Sequence, residues 1–94
     1  MPEIVDEKDV GRFALNEEEQ IAQLVYRLDG DRLILEHTEV PDELGGRGIG
    51  GRLVRAALAR AKEESLTLVP ECSYARKWLE DHPDERSDVN VDWP

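Results

Sequence analysis

One cysteine and two histidines in 94 residues leave few ways to do covalent or metal chemistry. Cys72 cannot close an internal disulfide by itself. His37 and His82 lie far apart, without the paired spacing of a zinc site, and the carboxylates spell no calcium loop, so no metal is expected. There is no apolar run long enough to span a membrane and no signal-peptide core, so the expectation is a cytoplasmic location and no membrane partner. Positive charge is also scarce. Twelve Lys and Arg stand against 22 Asp and Glu, and the net charge of -10 repels phosphate backbones, so no nucleic acid is expected as a partner. Lysine is the rarest cation, three against nine arginines. Such a surface suits a very salty cytoplasm, where repulsion is screened, or an acidic face for a basic substrate; stability that rises with potassium chloride is the mark of the first.

Hydrophobic residues make up 39% of the chain and recur periodically, enough for one small core. The expected organisation is a single monomeric domain over residues 1–94, with 83–94 an acidic tail. Arg12 to Leu15 reads as a short strand and Glu17 to Glu19 as a polar turn. Ile21 to Leu28 alternates, with Ala22, Leu24, Tyr26 and Leu28 on one face. Asp29-Gly30 then marks a tight hairpin. The returning strand, Arg32 to Val40, places Leu33, Leu35 and His37 on one side and Ile34, Glu36 and Thr38 on the other, and Pro41 stops its pairing. From Gly48 to Glu64 a helical stripe appears, Leu66 to Val69 reads as a buried strand, and a second helix runs from Ser73 to Asp81.

Five of the seven glycines fall between Gly45 and Gly51, directly ahead of the longer helix. Each glycine inside a helix costs about 1 kcal/mol relative to alanine, so the cluster needs a reason. Gly46, Gly48 and Gly51 spell the dinucleotide fingerprint G-x-G-x-x-G, yet four residues including Pro41 separate the strand from the glycine cluster, and too little chain follows for a Rossmann sheet. A P-loop needs Lys and then Ser or Thr after its last glycine, where this chain has Gly51-Arg52. The third option is a diphosphate held at a helix N-terminus, by free amides and the helix dipole. Charge agrees: Gly45 to Lys62 holds five basic residues and no acid, leaving -15 on the rest of the chain, and Arg47, Arg52 and Arg55 would complete an anion field. An ordinary solvated helix face is the competing account of those arginines.

The run VPDELGGRGIG followed by an alanine-rich helix resembles the acyl-CoA signature R/Q-x-x-G-x-G/A of the GNAT acetyltransferases. HTEVP, GRGIG and VPECSYARKWLEDHP together resemble the very small members of that superfamily, which carry a cysteine after the second motif strand. One departure is Gly45, where the signature has arginine or glutamine. The resemblance implies an α+β fold: a mainly antiparallel sheet with a central splayed parallel strand pair and two helices. It also implies acetyl-CoA as acetyl donor, its arm bonded by the backbone of Glu39 and Val40. Its diphosphate would lie on Gly45, Gly46, Arg47, Gly48, Ile49 and Gly50. The acceptor it implies is an amine on a small molecule or a protein.

Cys72 follows the LTLV strand at the start of the second helix, where dipole and free amides favour a thiolate. The resemblance makes it a candidate acyl carrier, and makes Tyr74 a candidate acid for the departing thiolate. A lone cysteine is also a common space-filler, and Tyr74 equally a core aromatic with a wet hydroxyl. His37 and Glu39, two apart on one strand, share a face and are candidates for a base. A module that binds coenzyme A without turnover is the alternative from another functional class.

Overall fold

Alternation in the first third of the chain builds a sheet whose one apolar face the two helices cover. The computed structural model describes residues 3–94. Strands β1 (Val5–Glu7), β2 (Arg12–Glu17), β3 (Gln20–Asp29) and β4 (Arg32–Glu39) lead to a 3-10 turn (Asp42–Leu44), helix α1 (Ile49–Glu64), strand β5 (Thr67–Pro70) and helix α2 (Ser73–Asp81). The strands lie in the order β1-β2-β3-β4-β5; the first four are antiparallel, and β5 runs parallel to β4. This is the expected α+β class, and among the described residues no helix is long and apolar enough to cross a membrane.

The three- and four-residue spacing of Ile49, Leu53, Val54, Ala57, Leu58 and Ala61 gives α1 one apolar stripe. That stripe packs on Phe13, Leu15, Leu24, Leu33, Leu35 and Leu68 of the sheet. Each fully buried side chain of this size contributes about 1.5–3 kcal/mol. Ala75, Trp78 and Leu79 bring α2 into the same core.

Local details depart from what the sequence predicts. β1 was not expected, because Val-Asp-Glu has no strand pattern; it is held by contacts made elsewhere, Tyr26 Oη donating to Asp6 and Arg12 pairing with Glu7. Glu17 belongs to β2 and pairs with Gln20, so the first hairpin turns on Glu18 and Glu19 alone. Both are left-handed (φ 54° and 64°), in a turn that usually selects Asn, Asp or Gly. In the second hairpin the central residues are Gly30 and Asp31, not Asp29-Gly30, and of these two only Gly30 is left-handed (φ 62°).

A β-bulge matters most. Val25 pairs with His37 and Tyr26 with Leu35, so Glu36 is an extra residue on β4. Beyond it the faces of β4 exchange: Thr38, opposite Leu24, turns toward the core, and His37 turns outward. The sequence pattern had placed them the other way round.

β4 and β5 pair from Arg32↔Thr67 to Leu35↔Pro70 and then part. Pro70 has no amide hydrogen, and the last link is Cys72 N donating to Leu35 O. The splay therefore opens at the bulge; Pro41 lies past the end of β4 and does not set it. The acidic C-terminal stretch is not simply a solvated surface either. Val91 bridges Leu68, and Glu85, Asp88 and Asp92 pair with Arg55, Lys62 and Arg32.

Candidate functional site

Where β4 leaves β5, a groove of about 290 Å³ opens between the end of β4, the glycine loop and the first turn of α2. Thr38 and Val40 form one wall, Leu44 and Gly45 the floor of the turn, Gly46, Gly48, Ile49 and Gly50 the far end, and Tyr74 the other side. Leu44 is fully buried and anchors the turn, while Gly45 N donates to Asp42 O. A Cβ on Gly45 would stand 3.2 Å from that carbonyl, which accounts for glycine where the resembling signature has a longer side chain.

Gly46 and Gly48 are left-handed (φ 78° and 71°), and a Cβ on either would meet nothing within 4 Å, so the main chain lies open to the groove. Gly48 is also the N-cap of α1 and offers no side-chain cap. Among the described residues, no backbone carbonyl accepts from the amides of Gly46, Arg47, Gly48 or Ile49. Four uncommitted amides at a helix start, unscreened by side chains, are suited to an anion.

Gly50 and Gly51 serve a different purpose. A Cβ on Gly50 would lie 2.4 Å from Tyr74 Oη, and one on Gly51 2.8 Å from Trp78 Nε1, so this pair lets α2 pack close to α1. Alanine at the two positions should behave differently. Tyr74 is 45% exposed and can swing away, so Gly50→Ala is expected to cost under about 1 kcal/mol while taking the hydroxyl out of the groove. Trp78 is 9% exposed, stacked on His82 at 3.9 Å with Arg55 over its ring, so Gly51→Ala is expected to cost about 1–3 kcal/mol by overpacking. Denaturant midpoints of the two variants measure the difference; equal losses would reject this account of the glycines.

The reactive residues do not all converge. Cys72, 8% exposed, is the N-cap residue of α2 and lies behind the wall, its Sγ 3.1 Å from Thr38 Oγ1. Thr38 was not singled out in the sequence; only the bulge brings it to the thiol. The side chains of His37 and Glu39 sit on the outer face, His37 Nε2 being 3.1 Å from Glu39 Oε2, with Gln23 donating to the other oxygen. These bonds, that of His37 first, hold Glu39 below the usual carboxylate range and make it a weaker base.

The expected anion field is largely committed inside the protein. Arg55 makes a two-pronged bond to Glu85, Lys62 meets Asp88, and Arg60 is buried against Asp6 and Tyr26. Arg47 reaches away from its own loop to Glu17 and Glu18, at 3.3 and 3.5 Å.

Residues 12–89 match the family model described as GCN5-related N-acetyl-transferase. Protein NATD1 of Homo sapiens and that of Gallus gallus are each 43% identical over 63 residues, 66% of this chain. The match spans 56% of the human protein and 57% of the chicken one, so the chain covers little more than half their length. The solution structure of a GCN5-like candidate N-acetyltransferase from Staphylococcus aureus superposes with a TM-score of 0.74 at 33% identity, covering 98% of this chain and 89% of that one.

Proposed function

Because the chain belongs to the GCN5-related N-acetyltransferase family, we propose that it binds acetyl-CoA as substrate and transfers the acetyl group to an amine, with Cys72 as the acyl carrier. The observation that carries this reading is the groove, which runs from Thr38, the partner of Cys72, to the free amides of Gly46, Arg47, Gly48 and Ile49. Its narrow, largely apolar course suits a pantetheine arm beside the unpaired edge of Glu39 and Val40, and its glycine end suits a diphosphate.

In the covalent route the Cys72 thiolate attacks the thioester carbonyl. A bond from Sγ to the acetyl carbon forms as the coenzyme's carbon–sulfur bond breaks, and Tyr74 Oη gives its proton to the departing thiolate. The amine then attacks the acetyl-cysteine, the thiolate leaves, and the amine's proton returns to Tyr74. Thr38 Oγ1, 3.1 Å from Sγ, is placed to donate to the thiolate when it forms.

Incubation with acetyl-CoA, followed by melting temperature and intact mass, tests the reading. Ligand at about 100 times its dissociation constant should add about 2.7 kcal/mol of stability. Absence of any thermal shift defeats coenzyme binding. A shift without an acetyl adduct favours the second reading, a coenzyme A-binding module, for which the burial of Cys72 and its place outside the groove lining speak.

A further inference from the structure

Arg47 is the one cationic residue within the glycine loop, and its side chain is already held by two carboxylates. Gly46 and Gly48 on either side of Arg47 are left-handed. Its guanidinium, 43% exposed, bridges to the tip of the β2–β3 hairpin, Nη1 lying 3.3 Å from Glu17 Oε2 and Nη2 3.5 Å from Glu18 Oε2. The tip is itself unusual: Glu18 and Glu19 adopt the left-handed conformation that L side chains avoid. The hairpin thus carries three consecutive glutamates, two of them paired across to the one arginine between Gly46 and Gly48.

We propose that Glu17 and Glu18 form an intramolecular latch that competes with a diphosphate for Arg47 and so keeps coenzyme A exchangeable. The inference rests on the loop being the diphosphate site. A ligand reaching the amides of Gly46 to Ile49 gains the guanidinium only by displacing two carboxylates, whose return favours release of the spent coenzyme. A diphosphate offers the guanidinium the same two-pronged, charge-assisted bonds that a carboxylate does, so the exchange brings a smaller net gain than a free arginine would give. The hairpin and the loop come from separate parts of the chain, which is why sequence alone does not show the pairing.

Isothermal titration with coenzyme A and with pantetheine, which lacks phosphate, tests the latch. Glu17→Gln/Glu18→Gln is expected to tighten coenzyme A binding about three- to tenfold, the equivalent of two exposed ion pairs, mainly through slower dissociation. Pantetheine binding should not change. With Arg47→Gln already in place, the same two substitutions should give little or no gain. A gain that persists undiminished there means general repulsion and overturns the latch, as does unchanged affinity in the double variant. If the unaltered protein itself fails to bind coenzyme A, the reading of the site falls, and the latch with it. The single variant Glu18→Gln, with melting curves for each protein, covers any loss of fold in the double one.

Discussion

Replacing Arg60 with alanine is expected to lower the melting temperature by about 12–24 °C, which corresponds to roughly 3 kcal/mol in a chain of this size. Arg60 is 9% exposed, the one buried charged residue among those described. Its Nη1 donates to Tyr26 Oη at 2.7 Å and pairs with Asp6 at 3.1 Å, while Nε meets Glu64 at 3.2 Å. Tyr26 donates in turn to Asp6. Removing the cation leaves a carboxylate and a phenol under α1 without the charge that offsets their desolvation. The figure belongs at the low end for buried pairs because Asp6 and Glu64 keep some solvent. Arg60→Met, which retains the aliphatic stem, should lose nearly as much if charge decides. A loss under about 1 kcal/mol in both variants would show that solvent already screens the cluster.

The same cluster predicts an alkaline limb of unfolding. Burial first, then the bond to Asp6 and its charge, push the Tyr26 phenol up to about 12 from an ordinary 10. A raised value means that the folded chain holds the proton more tightly than the unfolded one. The contribution is therefore complete below pH 10 and is lost as the pH climbs through 12, about 3 kcal/mol at most. Urea titrations across that interval should show the decline in the unaltered protein and a flatter course in Tyr26→Phe. Parallel slopes would reject the assignment.

How much of this was legible in the sequence depends on how local each feature is. Both helices could be read, because stripes such as Leu53, Ala57 and Ala61 repeat at helical spacing and Pro83 marks a stop. A glycine-rich turn ahead of α1 was legible too, and there Gly46 and Gly48 do take a left-handed backbone. The bulge was not. Glu36 interrupts an otherwise regular alternation without glycine or proline to mark it, so Thr38 was placed on the wrong face and its contact with Cys72 was invisible. The partners of Arg47, Arg55 and Lys62 were equally hidden, because each lies at least 26 residues away in the chain and only the fold brings them together. A run of arginines therefore looked like a free anion field when most of it answers carboxylates of the same protein.

Cys72→Ala is expected to abolish any acetyl adduct and to lower turnover about 10³-fold or more, with coenzyme A affinity within about twofold. Binding should survive because the thiol does not line the groove; the wall in front of it is Thr38. Stability should fall by only about 1 kcal/mol, since a single sulfur is removed from the edge of the core, and melting curves will separate that effect from chemistry. Thr38→Val provides the complementary test. It keeps the volume of the wall but removes the hydroxyl 3.1 Å from Sγ, so turnover should drop, though less than in Cys72→Ala. If Cys72→Ala acetylates an amine at the unaltered rate, the acetyl group passes directly from coenzyme to acceptor. Tyr74 on the groove wall then carries the proton transfer without a covalent relay, and Tyr74→Phe should show the larger loss, about 10²-fold.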